Sequence, residues 1–123
     1  MSRRLRKKQL KKFGAYVNPR EVWNLDVTLA KYIIPRLKLL KKIQHGYPGK
    51  GDMDTPEKWD EALDKMIKAF ELHLKMVDLN DDYFDKSEGD GKWHADMNKI
   101  EADEAIVKEG LYLFAEWYGS LWD

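Results

Sequence analysis

Residues 55–77 read TPEKWDEALDKMIKAFELHLKMV. Trp59, Leu63, Met66, Ile67, Phe70, Leu74 and Val77 recur at spacings of three and four. That is the period of one face of a helix. Thr55 stands where an N-cap belongs, and Pro56 suits the first turn, which has no need of its N–H. One amphipathic helix cannot bury its own stripe, so partners must come from the flanking sequence.

Upstream, Asn18-Pro19-Arg20-Glu21 carries a second start signal, with Asn18 as cap and Glu21 where a capping-box acid belongs. Val22, Leu25, Leu29, Ile33, Leu37 and Leu40 follow at helical spacing. Pro35 removes one backbone donor, which predicts a kink or break over residues 31–34. This helix is expected to end near Ile43, and Arg36, Lys38, Lys41 and Lys42 favour the negative end of its dipole. Downstream, a third helix is expected from about Trp93 to Leu121. Its stripe is Trp93, Met97, Ile100, Val107, Leu111, Phe114, Tyr118 and Trp122, with Gly110 and Gly119 as weak points.

No segment sustains a period-two strand pattern, and no internal repeat is visible. The expected fold class is all-α, a small bundle of three main helices with the first kinked at Pro35. Residues 1–15 read as a basic arm and residues 16–123 as a single helical domain. Seven cations fall within the first twelve residues, namely Arg3, Arg4, Arg6, Lys7, Lys8, Lys11 and Lys12. Charge repulsion at that density predicts an arm that stays mobile until an anion neutralises it.

The charge is split along the chain. Residues 1–50 hold fourteen Lys and Arg against Glu21 and Asp26, a net of +12; residues 51–123 hold eight against twenty acids, a net of −12. A basic end attracts phosphates and an acidic end repels them. The same split suggests self-association, or an arm folded onto its own acidic half. With no Cys, disulfides, thiolate metal sites and thiol nucleophiles are excluded. The longest apolar run, Leu111–Ala115, is far short of a membrane span of about 20 residues. No apolar segment follows the basic start, so secretion is not expected and the cytoplasm is the expected location.

Two loops invite sharper readings. Gly49-Lys50-Gly51 lies in the turn-rich connector 45–54, but Gln44 and Gly51 stand where a phosphate loop needs Gly and Ser or Thr. Asp78, Asn80 and Asp82 match the first ligands of a calcium hand, yet Tyr83 and Gly89 occupy two positions it cannot spare. A solvated loop is the expected state of residues 78–91. His45, His73 and His94 lack metal-ligand spacing. No metal, cofactor or catalytic residue is predicted.

Helical projection puts Asp26, Glu104 and Lys108 on apolar faces and His73 at the edge of one. Inward charges need partners. The structural reading pairs Glu104 with Lys108 and gives Asp26 a partner in a Trp indole or Lys108. The catalytic reading gathers Asp26, Glu101 and Glu104 around magnesium. It is disfavoured because no second well-spaced acidic step follows Glu101-Ala102-Asp103-Glu104, and Glu57-x-x-Asp60 and Glu61-x-x-Asp64 are ordinary for the exposed first turns of a helix.

Several phrases occur together in order: Trp23-Asn24-Leu25-Asp26, Ile34-Pro35-Arg36-Leu37-Lys38, Gly46-Tyr47-Pro48 and Trp59-Asp60. Leu63-Asp64-Lys65-Met66-Ile67, Glu109-Gly110-Leu111, Leu113-Phe114 and Leu121-Trp122-Asp123 continue the series. The set resembles a group of small, uncharacterised proteins encoded by tailed bacteriophages, over most of the chain after about Tyr16. The resemblance implies a phage origin and action in a bacterial cytoplasm, and implies no chemistry.

The first expectation is a non-enzymatic accessory protein that binds a host enzyme or antiviral defence component. Its acidic half would act as a nucleic-acid mimic. Trp117, Tyr118 and Trp122 are the expected anchors, with at least one ring exposed. The alternative is nucleic-acid binding by the seven arm cations with Lys38, Lys41 and Lys42, mainly electrostatic because no aromatic platform is interleaved.

Overall fold

The computed structural model describes residues 2–78, 83–85 and 94–122. It is all-α, with four α-helices among the described residues. They are α1 (Arg3–Phe13), α2 (Leu25–Ile43), α3 (Pro56–Val77) and α4 (Met97–Glu116). Short 3₁₀ turns at Pro19–Val22 and Tyr118–Ser120 flank the bundle. A two-residue antiparallel ladder pairs Phe84–Asp85 with His94–Ala95.

The caps formed where expected in α3, whose Thr55 hydroxyl accepts from the Lys58 N–H at 3.2 Å. The first predicted helix is split, but Pro35 does not divide it. Asn18 caps only the short 3₁₀ turn, Asn24 adopts a non-helical conformation, and α2 then runs unbroken through Pro35. Arg36, next to the proline, is held by the turn before it. Its guanidinium donates to the Tyr32 carbonyl at 2.8 Å and stacks 3.6 Å over the Tyr32 ring.

The arm is a helix, against the expectation of a mobile segment. Ser2 caps α1 through the Leu5 N–H, and Gly14, at φ 75°, closes it by donating to Leu10. The Ser2 cap contributes about 1 kcal/mol, which offsets much of the repulsion of the four like-charge pairs four apart, about 0.2–0.5 kcal/mol each. Arg, Leu, Lys and Gln are all strong helix formers. No residue of α1 is buried.

The core lies on α3, packed by α2 on one flank and α4 on the other. Leu37, Met53, Trp59, Ala62, Leu63, Met66, Ile67 and Trp117 form it, with Ile33, Phe70, Leu113, Phe114 and Leu121 around them. Because α3 has two neighbours, its buried face is wider than its stripe and takes in Ala69 and Leu72, while Val77 at the end is exposed. Met53 enters the core from the connector, held by its carbonyl accepting from Gly49 and its N–H donating to Lys50. The Trp59 indole donates to Gln44 at 2.9 Å, fixing the exit of α2 against the start of α3.

Helix α4 is turned relative to its expected orientation. Gly110 is buried, and an added Cβ there would collide with the Ala69 Cβ and the Lys65 backbone oxygen. The two helices meet at a pair of small residues, and that contact sets the roll of α4. Gly110, Leu113, Phe114, Trp117 and Leu121 face inward, while the predicted Leu111, Tyr118 and Trp122 face out. Trp93 and most of the acidic loop 78–91 lie outside the described residues. Tyr83 is buried, and its hydroxyl donates to Asp103.

Candidate functional site

The expected inward charges are not inward. No charged or polar residue is buried among the described residues, and Asp26, Glu104 and Lys108 are all exposed. The roll imposed at Gly110 carries Glu104 and Lys108 away from the core. Asp26 has neither an indole nor Lys108 as partner. His73 Nε2 donates to its carboxylate at 2.6 Å, joining the start of α2 to the end of α3.

That hydrogen bond holds the Asp26 carboxyl below its usual range. A depressed carboxyl stabilises the fold at any pH above its unfolded value and loses that contribution as pH falls through the folded value. The loss for Asp26 therefore falls below about pH 4. Asp26→Asn is expected to melt slightly below wild type at pH 7 and together with it at pH 2, measured by circular dichroism. Equal melting temperatures at both pH values would remove the pair from any structural role.

His73, Glu101 and Glu104 line one groove of about 640 Å³ between α3 and α4, floored by Met76, Val77 and Leu111. Asp26 stands beside it through His73. The three carboxylates weighed for magnesium therefore lie in one region. Among the described residues, however, no three His, Asp or Glu side chains are placed to hold a metal ion.

The cations separate into two sets. Lys41 pairs with Asp64 at 2.7 Å and Lys38 with Glu71 at 3.5 Å, so α2 spends two of its expected phosphate contacts on α3. The Lys41 ammonium is shifted up by its hydrogen bond to Asp64. Lys65 likewise bridges α3 to Glu109 of α4 at 2.9 Å. Each exposed pair is worth only a few tenths of a kcal/mol, but each removes a free charge. Among the described residues, no ion pair reaches any cation of α1. The opposite halves of the chain meet through α2 and α3, not through the arm.

Of the three expected aromatic anchors, Trp117 is buried at 7 % exposure, edge-to-face with Trp59 at 6.2 Å between centroids. Tyr118 and Trp122 are 67 % and 74 % exposed. Trp122 borders a cleft of about 710 Å³ shared with His45, Tyr47, Pro48 and Lys50.

One apolar surface was not among the expected sites. Leu25, Leu29, Tyr32, Leu39 and Ile43 are each about half exposed. With Arg36 they occupy positions 25, 29, 32, 36, 39 and 43, alternating steps of four and three along the whole of α2. That is the seam spacing of a coiled coil. Ala30, Ile33, Leu37 and Leu40 form a second face, towards α3. A helix apolar over more than half its circumference signals two partners, and among the described helices only α3 packs along it. The signal was in the sequence, but Leu25 and Leu29 were assigned to the core.

Comparison with protein-family models, curated proteins and solved structures finds no match to this chain. Among the described residues, no helix is long and apolar enough to cross a membrane.

Proposed function

We propose that this chain is a non-enzymatic accessory protein that binds a host protein through the uncovered seam of α2. The observation that carries this reading is the row of half-exposed Leu25, Leu29, Tyr32, Leu39 and Ile43. Contiguous apolar surface of this kind is a mark of interaction sites. Its heptad spacing suits a helix laid along it. Lys31, Arg36 and Lys42 on the same helix favour a partner helix with acidic flanks. The resemblance of its motifs to small phage-encoded proteins is the ground for proposing a bacterial host cytoplasm as the setting and a host enzyme or defence component as the target. Tyr118 and Trp122 at the other end of the chain are the second contact.

The test is affinity purification from bacterial lysate after nuclease treatment, read by mass spectrometry. Wild type is expected to retain one host protein in stoichiometric amount. Leu29→Glu with Leu39→Glu is expected to lose it without a change in folding, since each exposed substitution shifts stability by no more than about 0.5 kcal/mol. Trp122→Ala tests the second contact in the same experiment. Full retention by the Leu29→Glu, Leu39→Glu chain would refute the α2 seam as the binding surface.

A further inference from the structure

Helix α1 has a second kind of surface, independent of the α2 seam. At about 100° per residue, Arg3, Lys7, Lys11, Arg4, Lys8 and Lys12 follow one another around one side of the helix. Leu5, Gln9, Phe13, Arg6 and Leu10 fill the other. The second side is held by the chain that follows. Gln9 accepts from the Val17 N–H at 3.0 Å, and Arg6 stacks 5.1 Å over the Tyr16 ring. The tethered side therefore turns towards residues 16–17, and the six-cation side is left to solvent. Lys12 lies 5.3 Å from the ring of its neighbour Phe13, and no carboxylate among the described residues neutralises any of the six.

The geometry points to α1 as a contact for the phosphate backbone of duplex DNA. Six cations on one helical face complement a polyanion. The helix is ~16 Å long, and a B-form major groove admits an α-helix. The deep, narrow groove of an RNA duplex does not. The cationic side carries no ring on which an unpaired base could stack, so a single strand gains nothing beyond charge. The contact proposed is with phosphate oxygens, which carry no sequence information. An anionic membrane is the poorer match, because insertion needs a broad apolar side, and although Leu5, Leu10 and Phe13 are exposed, Gln9 and Arg6 between them are engaged with Val17 and Tyr16. Tertiary structure removes Lys38 and Lys41 from this surface, since both are paired on α3.

The experiment is fluorescence anisotropy of the full chain with a labelled 20-base-pair duplex of random sequence. Six phosphate contacts give a slope of about −5 in log K against log salt, a loss of about a thousandfold between 50 and 200 mM. The chain carrying Arg3→Gln, Arg4→Gln, Lys7→Gln, Lys8→Gln, Lys11→Gln and Lys12→Gln should bind at least a hundredfold more weakly at 50 mM. It should keep its melting temperature, because α1 buries nothing. Lys38→Gln with Lys41→Gln should bind DNA within about twofold of wild type. Absence of duplex binding at 50 mM salt overturns the inference, as does an equal loss in the Lys38→Gln, Lys41→Gln chain. Tighter binding to a single strand of the same length also overturns it, as does binding to phosphatidylserine vesicles without DNA binding. None of these outcomes bears on the α2 seam, whose test is run after nuclease treatment.

Discussion

Gly110→Ala is expected to destabilise the protein, by about 2 kcal/mol, although the same change at an exposed helical glycine gains up to about 1 kcal/mol. The new Cβ would overlap the Ala69 Cβ and the Lys65 carbonyl oxygen, with the Lys65 carbonyl carbon 3.2 Å away. Two of those three atoms are backbone of α3 and cannot swing aside, so α4 must move away or roll. Either motion opens the core at Phe114 and Trp117, which lie on the same face of α4. In a domain of this length, about 2 kcal/mol corresponds to a fall in melting temperature of roughly 5–10 °C. Gly110→Leu is expected to abolish the cooperative transition, because no small roll accommodates three further carbons. Ala69→Gly placed with Gly110→Ala should recover part of the loss but not all, since the Lys65 carbonyl remains. Thermal unfolding followed at 222 nm reads all four chains. A rise in melting temperature for Gly110→Ala would mean that α3 and α4 do not make this contact.

Trp117→Ala is expected to cost about 3–5 kcal/mol, the range for removing a buried tryptophan, whereas Trp122→Ala should cost less than about 0.5 kcal/mol. The two residues lie five apart, and sequence reading assigned both to a partner surface. In the fold they are opposites. Trp117 sits at the end of α4, edge-to-face with Trp59, and its ring lies against Gly51 of the connector. Its removal loosens α3, α4 and the connector together, in the region where Met53 enters the core. A drop of well over 10 °C in melting temperature is the expected readout. Near-equal melting temperatures for the two alanine variants would place Trp117 at the surface.

How much was legible depended on whether the information was local. Thr55, Pro56 and the stripe from Trp59 to Phe70 sufficed for α3, because a cap and a 3.6-residue period act within a few turns. The aromatic cluster of residues 117–122 could be named but not divided into core and surface. That division follows from the roll of α4, which two small residues on different helices decide. Gly110 was visible as a helix-weakening residue. Its reason, contact with Ala69, was not visible, since no periodicity links positions so far apart. The arm was misjudged for a different reason. Its repulsive charge was weighed without the caps at Ser2 and Gly14, although both are local.

The partner of Asp26 shows the limit most directly. Its placement on an apolar face was a sound projection of a straight helix. Its actual neighbour, His73, is 47 residues away, and the carboxylate stays half in water. The same holds for the cations. Composition counts fourteen in the first fifty residues. Only the packing of α2 on α3 separates Lys38 and Lys41, which are paired with Glu71 and Asp64, from the six on α1 that pair with no carboxylate among the described residues.

The sequence by itself determined that the chain is all-α, where α3 begins, and that its charge is divided between two halves. Those properties arise from backbone propensity, capping and composition, each acting within one segment. Only the tertiary structure decided which faces are inward, which charges are neutralised, and that α2 keeps one apolar seam uncovered. Those depend on how closely two helices approach and on what is left over once they have met, and both are set by side chains distant in the chain.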